Sequence, residues 1–277
     1  MALGAETGGA LADFAPWMGQ AVLVGLASAR FAFAFLFIPL FGRDLVPPLV
    51  RNSLIVTFGL IMLNTQASRL PNDLGAFDML LVFAKEAGAG TVIGFFFATI
   101  IWAMGMAGEI IDNKVGATIG QIVDPGSGTN ASLTSTLLSR LAGVLFVTAG
   151  GLMLLVGTVM ASYAIWPLGL GGLNFDTDTV VLFEREFGRL FTLAFLFCAP
   201  VIVLLYLIDA GLGLLNRIAP QFNVFILSLP IKSVAATLIL VMTLPLLGQA
   251  VLNDLASRSD TAEAVLDQVG GNAGGWR

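Results

Sequence analysis

Two acids and a base fall in one short segment, Glu109-Ile110-Ile111-Asp112-Asn113-Lys114, at the end of a strongly apolar run. Carboxylates this close can serve as general acid and base. Catalysis by Glu109 and Asp112 would need a substrate pocket, and no pattern in the sequence supplies one, so no enzymatic chemistry is expected. If the apolar run is helical through this point, Glu109 and Asn113 share a face, while Lys114 falls near Ile110 and Ile111. The group then reads as a local ion network or as a solvated helix end. Downstream, Asp124-Pro125-Gly126 is a turn signal. It lies in a stretch, 116–135, where Gly116, Gly120, Gly126 and Gly128 alternate with the apolar Ile119, Ile122, Val123 and Leu133.

The elements that must position these residues are membrane helices. The chain has 277 residues, of which 57% are hydrophobic and 11% charged, with mean hydropathy +0.92. A soluble domain carries about 25% charged residues. The composition is that of an integral membrane protein of the all-α class. Histidine is absent and Cys198 is the lone cysteine. Disulfides, Cys/His metal sites and histidine acid–base chemistry are thereby excluded, and no cofactor is expected. Cys198 lies in an apolar run and reads as a packing residue. No basic cluster points to nucleic acid or to an anionic-lipid switch. The N-terminal segment, residues 1–17, has no Lys or Arg before the first apolar run, so no cleavable signal peptide is expected.

A bilayer-spanning helix needs roughly 20 apolar residues, and about six stretches qualify. They are Met18–Phe41, Asn52–Asn64, Ala87–Ala107 (starting after Lys85-Glu86), Leu141–Pro167, Leu190–Ile208 and Phe222–Leu252. Pro200 lies inside the fifth, and Pro230, Lys232 and Pro245 are expected to break the last. Proline removes a backbone donor and bends a helix, so kinked hairpins are expected rather than straight rods. Gly88, Gly90, Gly94, Gly143, Gly150, Gly151 and Gly157 give the third and fourth spans small faces that let helix backbones approach closely.

Arg30 and Lys232 sit inside apolar runs. A charge at the centre of an inserted helix costs about 2.5–3.5 kcal/mol on insertion scales. Each either snorkels to the interface or faces protein or water. With six alternating spans, one side would hold Arg43, Arg51, Lys114, Arg140 and Arg217, and the other Arg69, Lys85, Arg185, Arg189, Arg258 and Arg277. The two sides nearly tie, so the positive-inside rule leaves orientation open. Arg217 near a helix C-terminus suits the helix dipole, and Pro220 stops continuation, which marks the turn of a helical hairpin.

Polar, glycine-rich backbone can lie at membrane depth only where protein buries it or a watery cavity receives it. On the residues alone, 116–135 reads better as a plain solvent turn than as the stopper of a pore.

Several segments in order resemble one family: KEAGAGTVIGFF at Lys85, WAMGMAGEIIDNKVGA at Trp102, DPGSG at Asp124, YAIWPLG at Tyr163 and GLGLLNRIAPQFNVFILSLPIKS at Gly211. They are similar to the FliR/YscT/HrcT/SpaR family, inner-membrane components of the type III protein export apparatus, over roughly Arg30 to Leu247. IIDN at Ile110 and PIKS at Pro230 look more like the virulence or symbiosis branch than the flagellar one. The resemblance implies a non-enzymatic export-gate subunit, assembled with several copies of R-type and S-type subunits in a helical, cone-like pore partly raised towards the periplasm. A U-type switch protein, a V-type export protein, membrane lipids and secreted unfolded polypeptides are the further implied partners, and nucleic acid is not among them.

Residues 18–186 would correspond to an R-type subunit and 187–252 to an S-type hairpin, followed by a polar tail, 253–277. The resemblance also reverses the reading of 116–135. Gly116, Ile119, Gly120, Ile122, Val123, Asp124, Pro125, Gly126 and Gly128 become the candidate plug of the closed channel. Arg30, Glu109, Asp112, Lys114, Arg217 and Lys232 become candidates for a polar network serving assembly. A flagellar export protein is the sibling alternative. A secondary transporter built on broken helices, or an intramembrane enzyme, is more distant. The lack of histidine and of an inverted repeat weighs against both.

Overall fold

A computed structural model describes residues 5–42, 45–66, 75–116, 132–169, 177–221 and 224–269. Among them the chain is helical, with no strand. The helices are α1 (Ala5–Phe37), α2 (Pro48–Gln66), α3 (Ala76–Val115), α4 (Leu133–Thr148), α5 (Gly151–Ile165), α6 (Thr177–Ile218) and α7 (Val224–Val269), with a 3-10 turn at Pro39–Phe41. Among the described residues five helices are long and apolar enough to cross a membrane, or six spans if α4 and α5 count as one bent unit. The all-α membrane class expected from composition is therefore the class observed.

The boundaries differ from the sequence reading in instructive ways. The third span does not start after Lys85-Glu86, because α3 runs through both residues from Ala76. Charges that find partners inside protein need not end a span. The fourth is not one rod: α4 and α5 meet at a 68° bend. Gly150, with φ +85°, makes that bend, since only glycine takes such an angle without a Cβ penalty. Pro230, Lys232 and Pro245 do not break the last span, and α7 stays helical through both prolines and beyond Leu252 to Val269. Proline's lost hydrogen bond is tolerated in such helices where neighbouring groups take up the freed carbonyl. Most of the tail read as separate from residue 253 is thus an extension of α7. The hairpin turn after Arg217 is where it was expected, between Ile218 and Val224.

Two compact units are present. The first comprises Met1–Phe97, Met153–Val180 and Ala262–Arg277. Its core uses the 3.6-residue period of α1, where Ala27, Phe31, Ala34, Phe35 and Ile38 are buried. Phe31 stacks on Phe58 at 5.3 Å and on Tyr163 at 6.3 Å between centroids. Arg51 Nη1 donates to the Phe41 carbonyl at 3.1 Å, tying α2 to the 3-10 turn. The second unit comprises Ala98–Leu152 and Val181–Thr261. In it Leu138, Ala142 and Phe146 form the buried stripe of α4, and Leu190, Ala194, Phe197, Val201 and Leu205 that of α6. Helix α3 contributes its first part to one unit and its last part to the other.

Candidate functional site

In the first unit the polar centre is built on Arg30. Its side chain and that of Glu86 are both 0% exposed, and Arg30 Nε lies 2.8 Å from Glu86 Oε2. Arg30 Nη1 donates to Ser162 Oγ at 2.7 Å and Nη2 to the Trp166 carbonyl at 2.9 Å. The guanidinium lies 3.7 Å from the ring centroid of Tyr163, a cation–π contact. Tyr163 itself donates its hydroxyl to the Ala27 carbonyl at 2.8 Å. Lys85 adds a second cation. Its ammonium is 3.3 Å from Glu86 Oε1 and donates to the carbonyls of Pro167 at 2.6 Å and Gly169 at 2.7 Å.

Two cations thus share one carboxylate, and backbone oxygens just past the C-terminal end of α5 take up the surplus. A helix C-terminus carries a partial negative charge and exposed carbonyls, so it suits a cation. The result ties α1, α3 and the end of α5 together. Arg30 is no snorkeller, and it faces protein on all sides.

Among the described residues, the second unit holds three further charged groups. At the end of α3, Asp112 Oδ2 accepts from Ser132 Oγ at 2.6 Å and from the Thr134 backbone N–H at 2.9 Å, while Thr134 Oγ1 donates to Oδ1. Ser132 is the N-cap of α4, its hydroxyl accepting from the Ser135 N–H at 3.1 Å. Two otherwise orphan donors of the first turn of α4 are satisfied in this way, and the carboxylate favours the positive end of the helix. Gly116, with φ +90°, closes α3 as a left-handed cap, its N–H on the Asp112 carbonyl at 3.1 Å.

Lys114 turns the other way. Its ammonium is 3.0 Å from Asp209 Oδ2 on α6 and 3.9 Å from the Tyr206 ring centroid. Lys232 of α7 pairs with the other oxygen of Asp209. Far along the same two helices, Glu186, Arg189, Asp254 and Arg258 form a charge-balanced group. Arg258 Nε lies 2.7 Å from Asp254 Oδ2, and Arg189 pairs with Asp254.

Of the residues singled out from sequence, Arg30, Asp112, Lys114 and Lys232 take part in these groups. Asp112 and Lys114 bind outward to α4 and α6 rather than to one another. Glu109 stands exposed on α3, on the same side as the exposed Asn113. Arg217 is exposed in the last turn of α6. Ile119, Gly120, Ile122, Val123, Asp124, Pro125, Gly126 and Gly128 lie outside the described residues.

Sequence reasoning missed Glu86, Lys85, Asp209 and the Glu186–Asp254–Arg258 group as partners. One signal was present: an arginine buried in an apolar helix needs a carboxylate on another apolar helix, and Glu86 and Asp209 are acids flanked by such sequence.

Asp209 carries two ammonium groups, so its loss should matter more than that of either lysine. Asp209→Ala leaves Lys114 and Lys232 facing each other without a carboxylate, whereas Lys232→Leu leaves Asp209 with Lys114. Both changes should lower the amount of membrane-integrated protein, the aspartate change by more. Immunoblotting of membrane fractions measures this, and an Asp209→Ala protein as abundant as wild type would show that the triad does not hold α3, α6 and α7 together.

Long apolar helices with charges paired inside each unit define a multi-pass integral membrane protein of the all-α class. The chain belongs to the bacterial export proteins, family 1, whose family model matches residues 21–257. It is 31% identical to Yop proteins translocation protein T of Yersinia pestis over 214 residues, covering 77% of this chain and 82% of that one. It is 31% identical to the surface presentation of antigens protein SpaR of Salmonella typhimurium over 217 residues, 78% of this chain and 81% of the relative. With the flagellar biosynthetic protein FliR of Bacillus subtilis, identity is 28% over 246 residues, 88% of this chain and 95% of the relative.

Proposed function

We propose that this chain is a T-type subunit of a type III secretion export gate in the bacterial inner membrane, of the non-flagellar branch. The observation that carries the reading is the family match across residues 21–257, with relatives named for Yop translocation and antigen presentation at 31% identity and a flagellar relative at 28%. The protein works as a structural part of a hetero-oligomer with R-type and S-type subunits, next to a U-type switch protein and a V-type export protein. Unfolded polypeptides are its cargo, and it performs no chemistry on them. The largely uncovered apolar faces of α6 and α7 suit lipid and neighbouring subunits, and part of the assembly stands raised towards the periplasm. Native mass spectrometry of the detergent-extracted particle tests this assignment: several copies of two small helical proteins should accompany the chain, and a lone chain or homo-oligomer would overturn it.

Within that gate, 116–135 is the plug. What supports this is composition: apolar Ile119, Ile122 and Val123 among glycines suit a segment packed against protein walls, and its two ends leave α3 and enter α4 from a well-bonded base. Deleting 117–131 should leave the assembly intact on purification, since the helix contacts on either side remain. Leak of ions and small molecules through the membrane of resting cells should rise. A cysteine placed at Ser127 should resist labelling while the gate is closed. Full labelling at rest, with no leak after deletion, would make the segment an ordinary exposed turn.

A further inference from the structure

We infer that one side of the α3–α4 pair, bearing Glu109 and Arg140, seats a membrane helix of a different subunit, with a base opposite Glu109 and an acid opposite Arg140; this rests on the gate-subunit reading above. The contacts between the two helices define that side. Asp112 and Gly108 of α3 meet Ser132 and Ser135 of α4, and a Cβ at Gly105 would touch Ser135 and Ser139. As numbers fall on α3 they rise on α4, so the helices run antiparallel. From Ala98 to Val115 the exposed positions of α3 are Trp102, Glu109 and Asn113. Glu109 and Asn113 follow the contact residues Gly108 and Asp112 by one, and Trp102 stands two turns before Glu109 on the same face. On α4, Leu133, Thr136 and Arg140 follow Ser132, Ser135 and Ser139 by one. One residue is a rotation of about 100°. In an antiparallel pair, equal rotations carry both rows to the same side. Leu133 is 85% exposed there, Trp102 49%, and Arg140 is exposed as well.

Both charges lie in helices of membrane-spanning character. Among the described residues neither meets an opposite charge. Turned to lipid, both would be costly. Turned to water, Trp102 and Leu133 would be left bare beside them. A helix laid along this face covers the apolar residues and neutralises both charges. Arg140 is displaced from Glu109 by about 7 Å along the axis, so the occupant's base and acid stand one to two turns apart.

A second copy of this chain does not fit. Copies of a membrane protein insert with one orientation, so a two-fold axis between them runs along the membrane normal. Glu109 would then meet Glu109 and Arg140 meet Arg140, like charge against like. The occupant is therefore another chain.

The test uses the full chain in the assembled complex in cell membranes, with photoreactive benzoylphenylalanine at Thr136. Light should join it to one other membrane subunit, at a helix with a base and an acid one to two turns apart. Glu109→Arg and Arg140→Glu should each lower that yield about tenfold or more, and Glu109→Gln should lower it less. Changing the base of the cross-linked helix to Glu should restore the yield of Glu109→Arg and not that of Arg140→Glu. If unassembled chain is degraded, this compensating change still decides, because it restores only a paired charge. Yields unmoved by both charge changes would overturn the seat, as would cross-links to lipid, to secreted polypeptide or to a second copy. So would failure to cross-link in a particle whose native mass includes its two small companions, a result that leaves the gate reading standing. A particle of this chain alone removes both.

Discussion

Glu86→Ala is expected to remove most of the assembled protein from the membrane. The substitution deletes the carboxylate shared by Arg30 and Lys85, leaving two cations within one buried group whose remaining acceptors are hydroxyl and carbonyl oxygens. Removing one partner of a buried pair costs about 3–5 kcal/mol, because the other charge stays desolvated. That is comparable with much of a domain's net stability, about 5–15 kcal/mol. Arg30→Met should cost less, since Glu86 keeps Lys85. The double change Arg30→Met with Glu86→Leu should recover part of the loss of Glu86→Ala, because well-packed apolar groups can replace a buried ion pair nearly neutrally. Steady-state levels in membranes, together with the thermal aggregation midpoint of the detergent-extracted particle, measure all three. Wild-type levels of Glu86→Ala would show that the Arg30 group contributes nothing to the first unit.

A comparable loss is expected from Gly94→Val or Gly90→Leu, by steric means. Gly90 and Gly94 lie one turn apart on α3 and face Arg30 and Ala34, one turn apart on α1. A Cβ at Gly90 would land on the Arg30 carbonyl, and one at Gly94 on the Ala34 carbonyl and Cα. This is the close backbone crossing that paired small residues permit in membranes. The obstructing atoms are backbone, so α1 as a whole must move. Overpacking costs about 1–3 kcal/mol where side chains can adjust, and here they cannot. Moving α1 also draws Arg30 from Glu86, so the two losses compound. Gly157 provides the control, since a Cβ there meets nothing within 4 Å. Gly157→Ala should accumulate normally in the same assay, and equal behaviour of Gly94→Val and Gly157→Ala would refute the crossing.

These two predictions mark the limit of what sequence patterning could supply. The small faces around Gly90 and Gly94 were legible as helix-packing signals, but nothing in the chain said which helix they meet. Arg30 was legible as a costly charge, with snorkelling and burial left open, because a lone sequence reports the cost of a charge and not its partner. Glu86 was read as the edge of a span because a charge usually marks an interface. Its burial against Arg30, 56 residues away in sequence, removes that meaning.

Composition and periodicity alone determined that this is an all-α membrane protein, that histidine and disulfide chemistry are excluded, and that α6 and α7 form a hairpin turning after Arg217. Those properties are local or additive: they follow from how many apolar residues stand together and where proline and a basic last turn end a helix. The tertiary structure alone decided that α3 continues through Lys85 and Glu86, that α4 and α5 bend at Gly150, and that α7 runs through Pro230 and Pro245. It alone gave Lys114 and Lys232 a common acid, Asp209, and gave Asp112 to the first turn of α4. Whether a charge or proline interrupts a membrane helix depends on what another helix offers it, and that free energy belongs to the pair rather than to either segment.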